Sequence, residues 1–255
     1  MISVVMAYHN RLSLLRRTLK SISKSSVTNV EIIIVDDFSD NDDRASLIID
    51  EFPRLNVTVI EMSTVAPLKD YRNPCVPFNV GFRHATGSKV VLQNPECYHV
   101  GDVLHSVDEK LTNHNYLTFH CFSANVHENA MLDNGNSEAL LDSRIRAGSD
   151  RWYNHQTINP TGYHFTAAIT KDNLTKLNGF DETFAQGHGY DDNEFLYRVR
   201  LLPVTVEFIE TPYVIHQSHH KGYTEKALID KNRILFSDTQ RRNEVRALNI
   251  NNVSI

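Results

Sequence analysis

Five short stretches hold the residues whose types and spacing could do chemistry. In "VDDFSD", Asp36 and Asp37 follow an apolar run, where one carboxylate could accept the N–H of a nucleobase while the other organises a turn. Asx-turn chemistry alone is the competing reading. In "LQNPE", Pro95 biases Asn94 toward an extended backbone, so Asn94 and Glu96 are expected to project to the same side. An amide oxygen and a carboxylate can serve a hard divalent cation such as Mn²⁺ or Mg²⁺, with one charge fewer than a pair of aspartates. The alternative is a Pro-capped strand end with a solvated Glu.

"GYDDNE" sets Asp191, Asp192 and Glu194 at an expected helix start. Acids there cap the helix and suit its dipole. Three of them exceed what capping needs, which opens a general-base or metal role. "HQSHH" offers His216, His219 and His220, without the Cys partner that would mark a zinc site. "WYNH" joins Trp152, Tyr153 and His155 into a surface on which a sugar could stack, or into a core Trp beneath a loop.

Elements must hold these groups in place. Apolar, β-branched runs predict strands over 2–7, 30–35, 57–60, 89–92, 116–119, 165–169 and 205–209. Helical patterns run through Leu12, Leu15, Leu19 and Ile22, through Leu47, Ile48 and Phe52, over 78–85, from about 191, and over 224–248. Gly87 sits where a residue just past a helix end would lie. The segment 125–157 reads as polar and irregular, and 178–184 as a turn. Continuous apolar strands alternating with helices predict a parallel α/β sheet covered on both faces, in which polar residues after the strands are the first suspects for ligand binding. No repeat or linker is visible, so one domain is expected.

Composition narrows the function. With 255 residues, 41% hydrophobic and a formal net charge of -5 without a long basic run, the chain has room for a substantial core and no nucleic-acid footprint. Cys75, Cys97 and Cys121 suggest neither a disulfide framework nor a zinc knuckle, so a reducing compartment is expected. The first residues run directly into a strand and no apolar run is long enough to span a bilayer, which predicts a soluble, cytoplasmic protein. "AYHNRL" has no glycine, which argues against a dinucleotide fold.

Taken in order, the motifs resemble the family 2 inverting glycosyltransferases with the GT-A fold. "ISVVMAYHNR" resembles their opening strand and "EIIIVDDFSD" their nucleotide-binding strand end. "VPFNVGFRHATGSKVVLQNPE" is similar to their Asn-x-Gly helix and metal motif, and "LNGFDETFAQGHGYDDNEFLYRVR" to the segment that carries the catalytic base. The resemblance covers roughly residues 1–220. It implies a GT-A domain with a nucleotide-binding half over about 1–100, an acceptor-binding half over about 101–220 and a helical segment over 221–255.

By the same resemblance Ala7, Tyr8 and Asn10 border the nucleoside, Asp36 with Asp37 contacts the base, and Arg72 belongs to the donor-binding set. Asn94 and Glu96 stand at the first and last positions of the metal motif, and His216 at a distal metal ligand. Asp191 and Asp192 match the acidic pair, with Asp192 at the base position. Trp152, Tyr153 and His155 are assigned to the acceptor. The expected activity is metal-dependent, inverting transfer of a sugar from a nucleotide-diphosphate donor, UDP-linked, to a hydroxyl of a glycan or glycoconjugate. Its rival is a non-catalytic glycan- or nucleotide-sugar-binding module, suggested by Asn94 in place of an acid. A lid over 217–224, with Gly222 as hinge and Lys221 as phosphate partner, completes the expectation.

Overall fold

The apolar runs become the centre of a mixed sheet that carries nine strands among the described residues. The structure, a computed structural model, describes residues 1–66, 68–133, 140, 148, 150–220, 222 and 224–248. In chain order the elements are β1 (Ile2–Tyr8), α1 (Leu12–Ile22), β2 (Val30–Asp36), β3 (Asn56–Glu61), α2 (Met62–Val65), α3 (Cys75–His84), β4 (Lys89–Gln93), β5 (Cys97–Val100), α4 (Val103–Lys110), β6 (Asn115–Ser123), α5 (Val126–Asp133), β7 (Trp152–Asn154), β8 (Thr166–Thr170), α6 (Lys171–Leu177), α7 (Asp191–Leu201), β9 (Thr205–His216) and α8 (Lys226–Arg242). Turns of 3₁₀ helix lie at Asn41–Asp43, Ala45–Glu51 and Glu182–Gln186.

The strand order is β3-β2-β1-β4-β8-β6-β9-β5, with β7 paired to β6. The strands β3, β2, β1 and β4 run parallel, β8 is antiparallel to both β4 and β6, and β9 returns parallel to β6. Alternation along the strands fills both faces. Val4, Met6, Ile32 and Ile34 pack with Leu15 and Leu19 of α1 and with Val103 and Val107 of α4. Val5, Ile33 and Val35 pack on the other side with Phe78 and Phe82 of α3 and with Leu174, Phe195 and Val199. A strand buried on both sides has no polar face, which is why these runs read as continuous.

Several elements depart from expectation. The pattern through Leu47, Ile48 and Phe52 forms a 3₁₀ turn whose buried residues, Ala45 and Ile48, are three apart, the spacing at which such a turn stacks side chains. The last helix is shorter than expected, because Asn243 takes a left-handed conformation (φ 55°) and stops it after Arg242. Gly87 is not in a left-handed helix cap. It lies against the first strand, where a Cβ would stand 2.8 Å from the Met1 carbonyl oxygen and 2.9 Å from the Ser3 nitrogen. Within the segment expected to be irregular, α5 and β7 form, while 134–139, 141–147 and 149 lie outside the described residues.

The most consequential departures are β5 and the length of β9. The register of β9 on β6 shifts between Phe119 and Cys121, and Pro212, which has no N–H to give to a ladder, falls inside that irregularity. Beyond it the strand resumes as far as His216 and pairs antiparallel with β5, with Cys97 opposite His216. All three cysteines are free and buried. Among the described residues no helix is long and apolar enough to cross a membrane.

The Asn-x-Gly helix shows what each of its two residues does. Asn79 is fully buried, donates to the Phe180 carbonyl at 2.9 Å and accepts from the Phe180 N–H at 2.8 Å, fixing the turn after Asn178 and Gly179 to α3. Gly81 lets α3 lie on β1 and β2, since a Cβ there would come within 2.4 Å of Val5 Cγ1 and 3.2 Å of Val35 Cγ2. Gly81→Ala is therefore expected to lower stability by about 1–3 kcal/mol in denaturant titration. Combining it with Val5→Ala should recover part of that loss, and an additive double variant would show that the Val5 contact is not the cause.

Candidate active site

The pairing of β5 with the end of β9 sets Glu96 against the histidines. The Gln217 N–H donates to the Glu96 carbonyl at 3.0 Å, and the buried Gln217 side chain bonds the same carbonyl, the Leu14 carbonyl and Thr18 Oγ1. Glu96 is 4% exposed, with Oε1 lying 3.1 Å from Arg11 Nη1, 3.3 Å from His216 Nε2 and 3.5 Å from His219 Nε2. Its Oε2 is buried and has no hydrogen-bond partner. Burial pushes the Glu96 pKa up, but hydrogen bonds from His216 and His219 and the neighbouring charges of His216 and Arg11 hold it well below the usual carboxylate range.

One carboxylate and two imidazoles whose ligand atoms lie within 4.8 Å of one another, beside a buried oxygen lacking a partner, fit a divalent cation. His219 is a ligand candidate that the motif comparison did not single out. Its only sequence signal is the His-x-x-His spacing from His216. Asn94 departs from its expected geometry, because the Cys97 N–H bonds the Asn94 carbonyl at 3.0 Å and closes a turn. Pro95 takes the second place in that turn, so the co-orientation of Asn94 and Glu96 argued from an extended chain does not hold.

The three acids of α7 point to three environments. Asp191 is buried and accepts from Asn73 Nδ2 at 2.8 Å, and burial followed by the charge of Asp192 raises its pKa to about 6. Asp192 is half-exposed and receives His164 Nδ1 at 2.5 Å. Glu194 turns into the core and forms a fully buried ion pair with Arg198, whose guanidinium also bonds the Leu177 and Gly179 carbonyls. Only Asp192 of the three lines the cleft of about 740 Å³ that Arg11, Tyr153, Tyr163, Phe165, His216 and His219 also line.

The strand-end residues serve mainly to support the site. Both Asp36 oxygens are taken by backbone, Oδ1 by the Ser39 N–H at 3.0 Å and Oδ2 by the Ala45 N–H at 2.8 Å, so this residue builds the turn. Asp37, itself buried, instead bonds Lys69 at 2.7 Å and the Tyr71 hydroxyl at 2.5 Å, behind an adjoining cleft of about 620 Å³ that Lys69, Tyr71 and Arg72 line. Tyr8 is 1% exposed, with its hydroxyl on the Asp43 carbonyl, which corrects its expected contact with a nucleoside. Ala7 is half-buried against the core, and Asn10, in a left-handed conformation (φ 45°), pairs reciprocally with Asp40.

The "WYNH" stretch splits by strand alternation. Tyr153 faces the cleft, its ring 5.0 Å from that of His216. Trp152 is 5% exposed and packs on Phe122 and His155, so the core reading holds for it and the stacking surface does not include it. His155 stacks at 4.2 Å on the buried His120, outside the residues that line the cleft. Of the expected lid, Gln217 is buried and Ser218 is tied to Asn129, Gly222 lines both clefts, and Lys221 lies outside the described residues.

Two outcomes follow from the acids. Asp191 has a folded pKa above its unfolded value, so the folded chain binds the extra proton and stability falls as pH rises from the ordinary carboxylate range through about 6. Asp191→Asn should raise the melting temperature at pH 7 relative to the parent chain and bring little gain at pH 4. An equal gain at both would show that Asp191 titrates normally. Glu194→Gln strands a buried guanidinium and is expected to cost about 3–5 kcal/mol, read by denaturant unfolding.

Known proteins share the family and the fold of this chain. Residues 3–205 match glycosyl transferase family 2. No curated protein matches the sequence. Among solved structures, S. aureus TarS 1-349 in complex with UDP-GlcNAc is similar at 15% identity with a TM-score of 0.66, over 93% of this chain and 66% of that one. A longer S. aureus TarS chain gives 16% identity and 0.59, over 85% and 36%. The mannosyltransferase PcManGT from Pyrobaculum calidifontis, in complex with GDP-Man and Mn²⁺, gives 15% and 0.58, over 87% and 58%. The chain thus spans between about a third and two thirds of the length of these structures, and at such identities the likeness speaks to the fold. Since the family match takes in most of the sequence, from the first strand through the acids of α7, the chain belongs to glycosyl transferase family 2 and has its GT-A fold.

Proposed function

We propose that the chain transfers a sugar from a nucleotide-diphosphate donor, UDP-linked, to a hydroxyl of a glycan or glycoconjugate acceptor, with inversion at the anomeric carbon. The observation that carries this reading is that Asp192 and the group Arg11, His216 and His219 line one cleft. Family membership supports it, as do the UDP-GlcNAc and the GDP-Man with Mn²⁺ named in the complexes of the similar TarS and PcManGT.

In this reading the nucleotide lies along the strand ends near Asp37 and Arg72, Tyr153 borders the acceptor, and Asp192 takes the proton of the acceptor hydroxyl as it attacks the anomeric carbon. Arg11, His216 and Glu96 gather on the leaving-group side. Glu96, His216 and His219 would hold a divalent cation, Mn²⁺ or Mg²⁺, and the two imidazole nitrogens weigh toward Mn²⁺. Such a cation supplies positive charge for the departing diphosphate. A binding module on the same fold is the second reading, favoured by one observation: Glu96 already has charged and hydrogen-bonding partners in Arg11 and the histidines.

Binding and turnover separate the two. Thermal shift with UDP- and GDP-sugars should show stabilisation that grows with Mn²⁺, because ligands of the native state raise its apparent stability, and Glu96→Ala should abolish the metal-dependent part. Asp192→Asn is expected to lower donor turnover by about 10²-fold or more while leaving donor affinity nearly intact. Donor binding without turnover in the parent chain supports the module. Unchanged metal dependence in Glu96→Ala removes the assignment of Glu96.

A further inference from the structure

His164 takes no part in the mechanism above, and nothing in the spacing of the sequence singles it out. It lies between Tyr163 and Phe165, which both line the cleft, and its own ring turns into the core, where it is 5% exposed. The ring meets Phe78 edge-on at 5.2 Å and Phe180 at 4.9 Å. The Phe180 backbone is held in turn by the buried Asn79, which bonds it in both directions, and its ring lies 5.3 Å from that of Phe78. An imidazole in an aromatic slot is an unusual filler, because a Phe would pack there without a polar atom to satisfy. The polar atom has a use: Nδ1 lies 2.5 Å from Asp192 Oδ1.

A carboxylate on a helix surface can turn about its last bond, whereas one with a single oxygen pinned presents the other in a fixed direction. We propose that His164 is a positioning residue for Asp192, its Nδ1–H holding Oδ1 so that Oδ2 is left to receive the acceptor proton. The inference rests on the reading of Asp192 as the base. In the step it serves, the acceptor O–H proton passes to Asp192 Oδ2 and the acceptor oxygen forms its bond to the anomeric carbon. The bond from that carbon to the diphosphate oxygen breaks, with the electron pair leaving on the diphosphate. Burial would lower the His164 pKa, but the charge and hydrogen bond of Asp192 outweigh it and raise the pKa, in keeping with a ring that remains a donor.

Packing and positioning rank substitutions in opposite orders. His164→Phe fills the slot and deletes the donor, while His164→Asn places an amide N–H near the position of Nδ1 and leaves the slot underfilled. The readout is nucleotide release from UDP-GlcNAc and from GDP-Man with Mn²⁺, water serving as acceptor, alongside donor affinity and melting temperature. His164→Phe is expected to lower kcat on the order of 10²-fold with donor affinity retained, the effect of a base displaced by about 1 Å. His164→Asn should stay closer to the parent chain in kcat although it melts lower. In an Asp192→Asn background, His164→Phe should change kcat no further, and ¹⁵N spectra of the parent chain should find the His164 proton on Nδ1.

Parent-like kcat in His164→Phe, an equal loss in the Asp192→Asn background, or a proton on Nε2 alone overturns the inference. If Asp192→Asn is inactive and His164→Phe is active, the positioning role fails and the base stands. If Asp192→Asn turns over normally, or the parent chain releases nucleotide from neither donor, the reading of Asp192 as base fails and the inference falls with it.

Discussion

The pairing of β5 with the last residues of β9 is the constraint on which the site depends. It brings the Pro95 turn beside 216–219, and Gln217 locks the arrangement by bonding the Glu96 carbonyl and reaching across to α1 at Leu14 and Thr18. A carboxylate as buried as Glu96 persists only when it is compensated, since a lone buried charge is expensive. Arg11 from the first loop and the two imidazoles supply that compensation from opposite ends of the chain. The opening loop, the metal-motif turn and the end of the sheet are therefore one electrostatic unit, in which no member can be moved without exposing the charge of another.

The acids of α7 follow a different logic. Helix geometry sends three nearby carboxylates in three directions, and each direction has been given its own neighbour: Asn73 for Asp191, His164 for Asp192, Arg198 for Glu194. Arg198 also draws in the Leu177 and Gly179 carbonyls, so the pair joins α6, the Gly179 turn and α7. The cleft faces one carboxylate, backed by two that serve the scaffold. Asn79 closes the arrangement by fixing the Phe180 backbone to α3, whose Gly81 lets the helix sit directly on the parallel strands.

Much of this was legible in the sequence, for reasons that can be given residue by residue. The runs through Val4, Ile33 and Val91 are continuous because both faces of those strands are buried, and such runs are visible without tertiary information. The acids at 191–194 announce a helix start by type and spacing. By contrast β5 is four residues long, follows a proline turn and includes the polar His99, so no periodicity marks it. Its partner strand is interrupted on the page by Pro212, although the chain carries the proline at a register shift. Trp152 with His155 shows the limit from another side: an aromatic and polar cluster looks the same whether it stacks on a ligand or packs under a loop. His164 gave no signal because its role is a contact across the fold with Asp192.

The contacts that build the site span great distances along the chain. Asn79 and Phe180 are 101 residues apart, Asn73 and Asp191 118, and Gln217 and Leu14 203. Closing such loops costs chain entropy before any contact repays it, which makes their assembly slow. During synthesis the N-terminal strands can pair early, yet Glu96 has no imidazole to meet until residues 216–219 have been made. A buried carboxylate without partners is unfavourable, so the Pro95 turn must stay hydrated until residues 216–219 have emerged. The family match ends at residue 205, and a chain interrupted there would possess Asp192 and the parallel strands while lacking both histidines. The two halves of the cleft are thus separated in time as well as in sequence, and the last to be synthesised is the one that allows the buried acid to be sealed.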